Sequence, residues 1–192
     1  MNKKIHTMVL SALLIAVGIL IPMISPIKIM IEPMSFTLAS HVAILVAIFV
    51  SPSVAVSVAL GSTLGFLLAG FPLPVVLRAL SHVVWAFAGA YYLKKNPDTL
   101  NSALKTGMLM LGIGVLHAIA EVVIVLPIYI GTMEIQSFIY TIFGLVGVGT
   151  LVHSCVDFVL AVAVWKVICK SNSVSSISNV KEVSLRLSPK AI

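Results

Sequence analysis

The stretch Pro74–Leu93, PVVLRALSHVVWAFAGAYYL, decides the fold class. Apart from Ser81 and His82 it is an apolar run around one cation, Arg78. A run of about 20 apolar residues crosses a bilayer as a single α-helix. A guanidinium inside such a helix costs about 2.5–3.5 kcal/mol on insertion scales, so it is rare there without a partner or a task. One helical turn on lies His82, and two further pairs share the i,i+4 spacing, His117 with Glu121 and His153 with Asp157. Ionisable groups held on apolar helices point to a membrane protein built to bind something polar.

The rest of the chain agrees. Of its 192 residues, 60% are hydrophobic and only 9% charged, with a mean hydropathy of +1.17. A soluble domain of this size needs far more polar surface, so the class is integral membrane, with little room for an extramembrane domain. The net charge of +6 is unevenly spread. Lys3 and Lys4 precede the first apolar segment, Lys94, Lys95 and Lys105 flank a polar break, and Lys166, Lys170, Lys181, Arg186 and Lys190 close the chain. The loops on the other side hold only Lys28. That is the positive-inside pattern of a membrane protein, not a nucleic-acid-binding stripe.

Breaks at Pro, Ser, Lys and Gly divide the chain into six apolar segments, roughly His6–Ile24, Phe36–Val50, Val54–Ala69, Val75–Leu93, Ala103–Ile128 and Phe138–Ile168. The expected architecture is an all-α, compact six-helix transmembrane bundle over residues 1–170. A Ser-rich tail, 171–192, is expected to be disordered and cytoplasmic. The basic start and apolar Met8–Ile24 lack a small-x-small cleavage site, so the first segment reads as a retained helix rather than a signal peptide. Six spans place both termini on the lysine-rich, cytoplasmic side. Cys155 and Cys169 lie on one segment, about 21 Å apart along a helix. That is beyond the reach of a disulfide, about 7 Å between Cα atoms, and both read as packing residues.

This topology turns scattered polar residues into a candidate site. Arg78 falls about 6 Å from the outer end of its helix. His82 is one turn deeper, with Trp85 broadly on the same side. His41, His117 and Glu121 come from independent helices at similar depth, facing the extracellular side. A guanidinium fork matches a carboxylate. Histidines and a glutamate suit a ring nitrogen or amide, and Trp85, Phe71 or Tyr91 suits a flat ring. The ligand class is therefore a small anion with a polar ring. Arg78 could instead pair with Glu121 and fasten two helices, and His153/Asp157 reads first as helix–helix hydrogen bonding.

Enzyme chemistry finds no motif. Zinc needs three or four ligands together, HxxxE and HxxxD pairs alone do not make a site, and HExxH is absent. No P-loop appears, so no ATPase is expected within the chain, and no cofactor or metal. A stand-alone proton-coupled carrier using the His/Glu and His/Asp pairs is the alternative of a different class.

The first helix carries Ala12 and Ala16 as AxxxA within ALLIA. Small residues at this spacing let another helix approach closely. Together with a basic N-terminus, six segments and a polar outer pocket, this resembles the S components, the substrate-binding subunits of energy-coupling factor (ECF) vitamin transporters. The stretches SFTLASHVAILVAIFVSP (Ser35–Pro52), LGSTLGFLLAGFP (Leu60–Pro72) and VLRALSHVVWA (Val76–Ala86) are similar to the niacin-specific branch, NiaX. S components for other water-soluble vitamins are the neighbouring alternatives. The resemblance implies a multi-pass protein of the cell membrane that captures a vitamin from outside. Its partners would be a membrane coupling subunit (T component), docked through Ala12 and Ala16, and two cytoplasmic ATPases. Nicotinate would suit Arg78 through its carboxylate and Trp85 with the histidines through its ring.

Overall fold

The computed structural model of the chain describes residues 3–31 and 34–187. Its main helices are α1 (Lys3–Ile24), α2 (Val42–Val50), α3 (Pro52–Leu68), α4 (Leu73–Lys95), α5 (Ala103–Tyr129) and α6 (Ile135–Ile168), with short turns of helix at Pro97–Asn101 and Asn172–Ser175. Four of them, α1, α4, α5 and α6, are long and apolar enough to cross a membrane. The protein is an all-helical membrane protein in its body.

One segment departs from the all-α expectation. The helix expected from Phe36 begins only at Val42. Before it, β1 (Lys28–Ile31) and β2 (Met34–Thr37) form an antiparallel hairpin with Lys28 opposite Thr37. The chain then turns through Ala39, whose φ of +66° is left-handed and unusual for a residue with a Cβ. What remains of the segment is α2, nine residues and about 13 Å long, too short to cross a bilayer alone. Every residue of α2 is buried, so it is a central pillar, not a lipid-facing rod.

The other helices start where local chemistry allows. Ser51 caps α3 by accepting from the Val54 amide at 3.3 Å, and Pro52 supplies a preset first residue. Gly70, with φ +76°, lets the chain leave α3. Helix α1 packs on α3 through Ile15 against Gly61 and Ile19 against Gly65, where any added Cβ would clash with the isoleucine side chains. Those glycines set the distance between the two helices. Pro22 sits inside α1 rather than ending it.

The middle of α6, Tyr140–Val148, is π-helical. Such wide turns shift the register of everything beyond them and are frequent at functional sites. Here the residues that follow are Thr150, His153 and Asp157.

The expected disordered tail needs correction as far as it is described. Residues 171–187 form a strap across the end of the bundle. The Asn179 and Val180 amides donate to the Val50 and Phe49 carbonyls at 2.8 and 3.1 Å, and Val180 is fully buried. Arg186 exchanges backbone hydrogen bonds with Asn101 and Ala103. The physical reason is that α2 ends inside the bundle, leaving carbonyls that need donors. Residues 188–192 lie outside the described set.

Candidate functional site

A pocket opens at the end of the bundle where the hairpin and the α3–α4 turn lie. Its walls come from α1 (Gly18, Pro22), the hairpin (Phe36, Thr37), the turn into α2 (Ser40, His41), α3, α4, α5 and α6. Arg78, His82 and Glu121 line it together with Thr150 and His153. The residues read from sequence as sharing one depth therefore do meet.

Arg78 Nη2 donates to Glu121 Oε2 at 3.0 Å. The same oxygen accepts from the Thr150 hydroxyl at 2.6 Å. The other, Oε1, faces two imidazoles, His82 Nε2 at 3.4 Å and His117 Nε2 at 3.3 Å. Glu121 is 1% exposed and Arg78 8%. Buried to this degree, each charge requires the other. Of the two partners considered for Arg78, the glutamate is the one present within the chain.

A second carboxylate shapes the other wall. Asp157 accepts the Ala39 amide at 2.8 Å on Oδ1 and the His41 amide at 2.9 Å on Oδ2. His41 Nδ1 also lies 3.0 Å from Oδ2. His41 is the residue before α2, and its own side chain makes no cap. The carboxylate of α6 takes that place, an anion at a helix N-terminus where the unpaired amides favour it. It also holds the left-handed Ala39 turn. Ser40 Oγ then meets His153 Nε2 at 3.1 Å. Asp157 thus performs the helix-to-helix bonding expected of it, while His153 reaches the pocket.

The aromatic expectations need two corrections. Trp85 is fully buried and does not line the pocket. It packs behind the histidines, with ring centroids 4.9 Å from His117 and 5.6 Å from His82. The reason is size, since the indole fills the core between α4 and α5 below the polar layer. Tyr91 lies far from the site, stacked on Phe87 with Lys95 above its ring. The aromatic walls are Phe36, Phe66 and Phe71, the last two stacked at 4.8 Å. His117, also fully buried and likewise not part of the pocket lining, lies beneath His41 and His82 with ring centroids 4.7 and 4.9 Å away.

Sequence reading missed Thr150, Ser40 and Phe36. A hydroxyl within an apolar run was a usable signal for Thr150, but the π-helical register that aims it at Glu121 was not.

Comparison with known proteins decides the family. The niacin transporter NiaX of Lactococcus lactis subsp. cremoris (strain MG1363) is 38% identical over 173 residues, which cover 88% of this chain and 78% of that protein. This chain belongs to the NiaX family. The sequence-level resemblance to the niacin branch of the S components is thereby met. No protein-family model matches the chain, and no solved structure matches it. Within the NiaX family relationship, the stretches that carried the resemblance supply His41, Phe66, Phe71, Arg78 and His82, all of them pocket residues. Ala12 and Ala16 lie on the exposed face of α1, away from the pocket.

Proposed function

We propose that this protein is the substrate-capture subunit of an ATP-driven ECF-type importer and that it binds nicotinate in the pocket between the hairpin and α3–α6. The observation that carries the reading is Arg78, a buried guanidinium held by Glu121 at 3.0 Å and opening on a cavity with aromatic walls. A cation at this depth is costly in a membrane helix. A carboxylate ligand offsets that cost and gains charge-assisted hydrogen bonds. The pyridine ring would lie between Phe36 and the Phe66–Phe71 stack, with Ser40, His41 or His82 near its nitrogen. Nicotinamide, lacking the charge, would gain less.

The bundle is read as six spans, with α2 and the hairpin together making the second. The lysine-bearing ends of α4 and α5 are taken as cytoplasmic and the pocket as extracellular. Helix α1 buries only Gly18 and Pro22 of its own residues. Its free face, with Ala12 and Ala16 among Met8, Leu13 and Leu20, supports docking on a membrane coupling subunit that works with two ATPases.

Calorimetry of the purified protein with nicotinate tests the site. Tight binding is expected, weakened at least tenfold in the Arg78→Ala/Glu121→Gln double variant, which leaves no buried charge unpaired. Unchanged affinity in that variant would refute the role of Arg78. Uptake by the chain alone in liposomes, without ATP or partners, would refute the coupled mechanism.

A further inference from the structure

The polar layer contains more nitrogen ligands than an anion pocket needs. His41, His82 and His117 come from three different parts of the chain, and one ligand atom from each lies within 4.8 Å of the others. Their ring centroids form a triangle with sides of 4.7, 4.8 and 4.9 Å, and their planes are mutually steep, at 76°, 76° and 87°. The rings therefore meet edge-on rather than stacked, with one nitrogen of each within 4.8 Å of the others.

His117 makes the need for a partner explicit. It is 0% exposed, and among the described residues neither Nδ1 nor Nε2 has a hydrogen bond. Its Nε2 is 3.3 Å from Glu121 Oε1, without hydrogen-bond geometry. A buried polar group left in this condition is destabilising unless something satisfies it. The two approaches to Oε1, 3.4 Å from His82 and 3.3 Å from His117, are long beside the usual N–H···O range of about 2.7–3.2 Å. They match two edges of a coordination tetrahedron, while the three imidazole nitrogens, within 4.8 Å of one another, would have to draw in around an ion. With metal–ligand bonds of about 2.0–2.1 Å, ligand atoms lie roughly 3.3–3.4 Å apart.

The surroundings are those of a metal ligand set. Asp157 engages Nδ1 of His41 at 3.0 Å, which fixes the ring and leaves Nε2 for coordination, the carboxylate–histidine–metal arrangement. Glu121 is likewise oriented by Arg78 and Thr150 through its Oε2, leaving Oε1 towards the imidazoles.

We propose that His41, His82 and His117, with Glu121 Oε1 beside them, form a binding site for one divalent transition-metal ion of the zinc type at the floor of the pocket. Three imidazoles and a carboxylate oxygen suit zinc and its neighbours in the transition series better than magnesium or calcium, which prefer oxygen. His41, His82 and Glu121 also line the pocket, so the ion would meet whatever the pocket holds. If the nicotinate reading is right, its ring nitrogen or carboxylate is the natural additional ligand. Charge then closes. The ion and Arg78 supply three positive charges, and Glu121, Asp157 and nicotinate supply three negative ones.

The test uses the full-length protein in detergent, stripped with a chelator and titrated with Co2+. The expected result is about one ion per chain with the intense visible absorption of low-coordinate cobalt, bleached by Zn2+. His117→Gln and His41→Gln should lose at least tenfold in affinity, while His6→Gln, at the far end of α1, keeps it. No cobalt band in the folded wild-type protein, or a band that survives both variants, overturns the proposal. Nicotinate binding to metal-free protein that takes up no cobalt overturns the metal site alone. A cobalt site with no nicotinate binding overturns the nicotinate reading alone.

Discussion

The two ends of the same helices have been built on opposite principles. Towards the end away from the pocket, α2, α4 and α6 meet through Ile48, Phe49, Leu93 and Trp165, all essentially inaccessible. Phe49 sits edge-on to Phe158 at 6.0 Å and tilted on Trp165 at 5.6 Å. Val180 of the strap closes this layer from below. At the pocket end, α4, α6 and the turn leading into α2 present Arg78, His82, His153 and His41, with Asp157 buried behind them. One end is held by shape and the other by charge and hydrogen bonds. A truncated side chain in the packed end leaves a cavity, whereas a buried ion pair that loses one member is left with an uncompensated charge. The apolar end is an anchor, and the polar end is a mechanism.

Single substitutions can break this contrast. The largest effect is expected for Arg78→Ala, which strands Glu121 and should cost about 3–5 kcal/mol of stability. Thermal unfolding in detergent measures it, and the added Glu121→Gln change should restore a substantial part. If the single variant is as stable as the parent, the pair is not the structural hinge of the polar layer. Next comes Phe49→Ala in the anchor, expected to cost about 3 kcal/mol through the cavity it leaves. Nicotinate affinity of the folded fraction should stay within twofold of the parent, and a larger change would join the two ends into one unit.

Asp157→Asn should cost about 1–3 kcal/mol, since one amide–carboxylate bond is replaced by a clash of donors. Because Asp157 holds the turn that carries Ser40 and His41, this variant should also weaken nicotinate binding, which Phe49→Ala should not. The smallest effect is expected at Ala39. Ala39→Gly removes the cost of a left-handed residue with a Cβ, and a gain of up to about 1 kcal/mol is expected in thermal unfolding. A loss there would mean that the turn is held against its preference by more than Asp157.

Much of this was legible in the sequence. The helices α1, α4, α5 and α6 follow from length and hydropathy, and Arg78, His82, His117 and Glu121 stood out as polar residues in apolar runs. Their common depth followed from counting residues inward from the loops. The second segment was misread because Phe36–Val50 is apolar apart from Thr37, Ser40 and His41, and hydropathy does not distinguish a hairpin strand and turn from a helix. The tail was misread for a related reason. Its Ser-rich composition resembles disorder, but its Asn179 and Val180 amides meet carbonyls at the end of α2, which no local pattern reveals.

By itself the sequence determined the membrane class, the long helices and the inventory of ionisable groups, because these depend on local composition and on 1.5 Å of rise per residue. The tertiary structure decided who meets whom. It paired Arg78 with Glu121, put Trp85 behind the histidines instead of against a ligand, and spent Asp157 on the start of α2. It also gathered His41, His82 and His117 from separate segments of the chain into one triangle. Spacings of tens of residues carry no motif, so only the packing of the helices could bring those three nitrogens together.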